Sequence, residues 1–176
     1  MKQRMTLALT ALATTITCLP ALAQHDEHQH HSPYADQTSS GIAALSQAEL
    51  DGLLAGAGMG MARAAELNHY PGPKHVLELA DELELSDTQR ASVETIREAM
   101  ASEAKRLGQE IVDAERHLER RFAHAHIDAD TLRSLTAEIA SLYGELRFVH
   151  LRAHLETRSA LSEEQVANYD RLRGYQ

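Results

Sequence analysis

Between residues 86 and 160 the apolar positions fall into two runs with helical spacing. In the first, Val93, Ile96, Met100, Ala104, Leu107, Ile111, Ala114, Leu118 and Phe122 recur in steps of three and four; in the second, Leu132, Leu135, Ile139, Leu142, Leu146, Val149 and Ala153 do the same. Such steps keep side chains on one face of a helix, so each run predicts a long amphipathic rod. The single interruption lies between Ala125 and Asp130, where Asp128 has the chemistry of a helix cap. Two rods of similar length joined by a short turn fold most simply into an antiparallel hairpin with a coiled-coil-like seam. The other faces carry charges such as Glu94, Arg97, Glu98 and Arg106, which read as solvated surface.

The ends of the rods carry matching signals. Leu85-Ser86-Asp87-Thr88-Gln89 and Leu161-Ser162-Glu163-Glu164-Gln165 share the form Leu-Ser-x-x-Gln, in which the serine and the glutamine each satisfy a free backbone N–H at a helix start. Leu161 and Val166 are spaced for a hydrophobic staple; the first copy has Leu85 but Arg90 at the equivalent place. Ser46 and Glu49 form another such box, predicting a helix that runs toward Leu67 through the glycines at 56, 58 and 60. Pro71 and Pro73 end it, and Pro73 suits the first turn of a short helix reaching Leu85. The fold class is therefore all-α: a long antiparallel helical hairpin with shorter flanking helices, forming one domain over residues 45–176.

Ahead of that domain the pattern changes twice. Lys2 and Arg4 precede an apolar run from Met5 to Leu19 and then Pro20-Ala21-Leu22-Ala23, the layout of a secretory signal peptide over residues 1–23, cleaved after Ala23. Cys18 leaves lipidation open as the alternative. No later segment has the roughly 20 apolar residues of a membrane span. Residues 24–44 are polar and carry His25, His28, His30 and His31, the composition of a disordered, histidine-rich tail able to collect metal. Without residues 1–23 the chain has 15 basic and 26 acidic residues, a balance of −11 that argues against nucleic acid.

Eleven histidines direct attention to metal chemistry. His150 and His154 lie four residues apart on the second rod, so both imidazoles reach one ion. They flank the seam next to Val149 and Ala153. In a hairpin centred near residue 127 their level on the first rod is Met100 to Ala104, making Met100 and Glu103 the candidate additional ligands for a divalent zinc, nickel, cobalt or copper ion. The alternative is two flank histidines paired with Glu145 or Glu156. His117, one turn from Asp113 and two from Glu110, is a weaker constellation, and Met59 and Met61 are thioethers suited to a soft ion. His69 and His75 read as surface residues. No nucleophile and base are brought together and no phosphate-binding loop is present, so the chain reads as non-enzymatic.

With the signal segment, the hairpin and the two pentads in place, the sequence resembles the Spy/CpxP family of periplasmic helical proteins, marked by a repeated Leu-Thr-x-x-Gln; here serine replaces threonine in both copies. The resemblance implies a hook-shaped all-helical protomer that dimerises into a cradle, located in the periplasm. It implies a stress or sensor protein that binds heavy metal, with an envelope sensor as a possible partner, or alternatively an ATP-independent chaperone for unfolded clients. The sensor branch uses a ligand pair one turn apart on the helix before the second motif, and His150 and His154 resemble that pair. The chaperone branch presents a basic concave face, from which a balance of −11 departs.

Overall fold

The computed structural model describes residues 42–175, so the signal segment and the tail histidines His25, His28, His30 and His31 lie outside it. Six helices follow one another: α1 (Gln47–Ala55), α2 (Arg63–Glu66), α3 (Pro73–Glu78), α4 (Asp87–Ala123), α5 (Ala129–Ala160) and α6 (Glu163–Arg173), with no strand among the described residues. The two rods are real and of the expected length. Helix α4 has 37 residues, about 55 Å at 1.5 Å per residue, and α5 has 32.

The start signals act as written. Ser86, Ser162 and Ser46 each accept from the backbone N–H three residues on, and Gln89, Gln165 and Glu49 close their boxes; Asp128 caps α5 by accepting from Thr131 at 2.7 Å. What the sequence did not disclose is that the two pentads meet. The Gln89 amide donates to Gln165 Oε1 (2.8 Å) and to the Ala160 carbonyl (3.0 Å), while the Gln165 amide donates to the Leu83 carbonyl (3.1 Å). Each motif glutamine thus caps its own helix and ties it to the other, holding together the two ends of the hairpin remote from its turn. Leu161 and Val166 are buried as a staple would be, beside Val76, Leu83, Val93 and Tyr169; Arg90 instead pairs with Asp81 at 3.0 Å.

Two expectations are corrected. The first helix does not run to Leu67: Gly56 adopts φ +67° and terminates α1, and only four residues of α2 are helical thereafter. Gly56 through Gly60 forms a loop, because glycine is a poor helix former and freely adopts left-handed backbone. The seam also fails at the turn end of the hairpin, where Phe122 is 57 % exposed and Leu132 36 %. Helices α1 and α3 pack on α4 and α2 packs on α5 toward the other end, so only there is the two-helix stripe fully covered. In that covered region Ile42, Leu45 and Leu53 join Leu107, Ile111, Leu146 and Val149 in the larger core cluster.

Candidate functional site

His150 and His154 occupy the covered half of α5, and both are buried, at 3 % and 9 % exposed. The loop from Gly56 to Gly60 and the α2–α3 segment close over them. Helical spacing alone accounts for their common direction; their burial depends on glycines that let the covering backbone approach. A Cβ at Gly72 would lie 2.9 Å from His154 Cε1, and one at Gly58 would touch the His150 ring at 3.9 Å.

The two imidazoles are held differently. His154 Nδ1 lies 2.7 Å from the Tyr70 carbonyl oxygen, a geometry in which it donates and leaves Nε2 with a free lone pair. This is how proteins orient histidines that serve as ligands. His150 Nε2 is buried with no hydrogen-bond partner among the described residues. Buried polar atoms rarely go unmet, so this nitrogen lacks something the fold alone does not supply.

Both rings line a cavity of about 770 Å3 whose wall on α4 includes Met100. Met100 thus lines the same cavity as the pair. Glu103 is not part of that lining: its carboxylate takes Arg106, one turn along the same helix, and that contact holds it below the usual carboxylate range. Glu156 pairs with Arg152. Met59 lines the cavity, whereas Met61 packs against the larger core cluster. Near His117, Asp113 engages Arg116 and Glu110 engages Arg106, so those carboxylates are already paired. Among the described residues no group of three or more His, Cys, Asp or Glu side chains is placed to hold one metal ion. A metal ion at the His pair would need donors of another kind.

Glu66 is the functional-looking residue that sequence reasoning missed. At the C-terminal end of α2, it accepts from the hydroxyls of Tyr169 and Tyr175, and His75, His154 and Arg173 surround it at 3.6 to 3.7 Å. Tyr169 is fully buried, and burial followed by the Glu66 contact pushes its phenol far above the ordinary tyrosine value. Nearby, His69 Nδ1 meets the buried Asp170 carboxylate at 2.6 Å. The α6 helix is thereby fastened to the segment covering the histidines.

Burial, with a smaller contribution from His154, pushes the His150 imidazole below the ordinary histidine value of 6.5. The unfolded chain binds a proton at that value while the folded chain resists it, so this stability is complete above about pH 6.5 and declines as pH falls below it. Metal-free protein should therefore lose urea resistance between about pH 7.5 and about pH 5.5, and His150→Gln should flatten that dependence. Identical pH slopes in the two proteins would remove His150 as the source.

A family model described as LTXXQ motif family protein matches residues 72–173 of the chain. No curated protein and no solved structure matches it.

Proposed function

This chain belongs to the LTXXQ motif family, a family of Spy/CpxP-like periplasmic proteins, and on that premise we propose that it is a non-enzymatic periplasmic stress or sensor protein that binds a transition-metal ion through His150 and His154. The observation that carries this reading is the pair of nitrogens: the buried, unmet Nε2 of His150 and the Nε2 of His154 left free by the Tyr70 carbonyl. Met100 lines the same cavity and is the candidate additional donor; a thioether with two imidazoles would favour copper, while the imidazoles alone accept zinc, nickel or cobalt. A bound ion would supply a link between α5 and α4. The histidines of the tail are a second, weaker collector. The apolar side chains Phe148 and Leu155, seven residues apart on α5 and both more than half exposed, are the face a second copy would cover in a homodimer.

Calorimetric titration with Zn2+, Ni2+, Co2+ and Cu2+ tests this reading in a variant whose tail histidines His25, His28, His30 and His31 are alanine. Adding His150→Ala and His154→Ala should lower the affinity for the preferred ion at least roughly 100-fold, since loss of mere supporting contacts around a metal costs 10- to 100-fold. Unchanged affinity would sink the site. A second reading, an ATP-independent chaperone, is favoured by Phe122 and Leu132, left uncovered at the hairpin turn. Suppression of client aggregation that disappears in Phe122→Ser/Leu132→Ser would support it, and absence of suppression with several clients would discard it.

A further inference from the structure

The cavity beside the histidines has a charge that the chain as a whole does not. Against an overall balance of −9, its lining includes Arg63, Lys74, Arg97 and Lys105 and a single carboxylate, Glu66, a local excess of three positive charges with the histidines neutral. Glu66 Oε1 is engaged by the phenols of Tyr169 and Tyr175. Lys74 lies 3.8 Å from Glu78, but among the described residues Arg63, Arg97 and Lys105 form no salt bridge. Three cations with no carboxylate partner among the described residues thus line one cavity.

Their placement follows from the helices. Arg97, Ala101 and Lys105 stand at successive turns on one face of α4, so two cations flank a small residue. Lys105 packs against the Gly56 turn, where a Cβ would meet its Cγ at 3.0 Å, and a Cβ at Gly60 would lie 3.2 Å from Arg63 Nη2. The lining also includes the apolar or small residues Ala57, Met59, Leu67 and Met100. About 770 Å3 lies within the range of sites that enclose small molecules, which are mostly apolar with a few placed polar groups.

We propose that this cavity binds a small amphipathic carboxylate, its aliphatic part against Met59, Leu67 and Met100 and its charged end among Arg97, Lys105 and Arg63. The ligand is a free acid entering the cavity, and the cations rather than the imidazoles select it, so the inference goes beyond metal binding. It also accounts for the cluster's sign: in an otherwise acidic molecule the local field draws an anion to a cavity with apolar walls.

The test is displacement of 1-anilinonaphthalene-8-sulfonate from the full mature protein by decanoate, in EDTA so that metal plays no part. Decanoate should displace the dye saturably at one per chain, and decanol should be at least about tenfold weaker for want of charge-assisted contacts. Arg97→Ser/Lys105→Ser, both on exposed positions, should lower decanoate affinity about tenfold or more and leave zinc affinity unchanged. Anionic phospholipid vesicles should not displace the dye. Equal binding of decanol, an unaltered decanoate affinity in the double variant, or displacement by vesicles would overturn the proposal. Failure of the His150/His154 metal site would leave these results untouched.

Discussion

Alanine at position 108 should destabilise the protein by at least about 3 kcal/mol, the upper end of what overpacking usually costs. Gly108 lies in the middle of α4, where α1 crosses so closely that an added Cβ would sit 2.0 Å from the Leu53 carbonyl oxygen and 2.6 Å from its carbon. Both are backbone atoms, so no rotamer change relieves the clash; α1 must lift from α4. Leu53, 1 % exposed, would then leave the cluster it shares with Leu107 and Ile111. Gly144 on α5 is the control, because nothing lies within 4 Å of its Cβ position. Gly144→Ala should be neutral or stabilise by up to about 1 kcal/mol through helix propensity alone. Urea denaturation of the two variants measures the difference, and similar midpoints would refute the close crossing.

The second large effect is expected at Tyr169. This residue is wholly buried between Val76, Leu83, Val93 and Val166, and its hydroxyl donates to Glu66. Tyr169→Ala should cost roughly 3 to 5 kcal/mol, the range for emptying a buried aromatic site. Tyr169→Phe keeps the ring and removes one donor from Glu66, so about 1 to 3 kcal/mol is expected, with Tyr175 still in place. Denaturation of both variants separates packing from the hydrogen bond. Equal losses would mean that the phenol contact, and not the ring, anchors α6.

These two positions also show where sequence reading stops. The hairpin was legible because its evidence is local: apolar steps of three and four, Ser-x-x-Gln starts, and Asp128 before the second rod. The close crossing at Gly108 left no comparable signal, since a lone glycine within a strong helical pattern does not say which backbone presses on it. Glu66, Tyr169, Asp170 and His69 are polar residues with no spacing in common; only the tertiary fold brings them together. That His150 and His154 face one way was legible in their i, i+4 spacing. Glu103 stands at the level of the pair on α4, but its carboxylate is taken by Arg106, one turn along the same helix. The burial of the pair escaped notice because it is imposed by the glycine loop, which was expected to be helix.

The central claim is that the nitrogens of His150 and His154 are the metal ligands. It is tested most directly by imidazole 15N chemical shifts of the mature protein, with each histidine assigned, during stoichiometric addition of the ion that binds tightest. In the metal-free state His154 should carry its proton on Nδ1, as its contact with the Tyr70 carbonyl requires. The first equivalent of metal should then shift ring nitrogens of His150 and His154 together. Shifts confined to His25, His28, His30 and His31, with the two buried rings unchanged, would contradict the account.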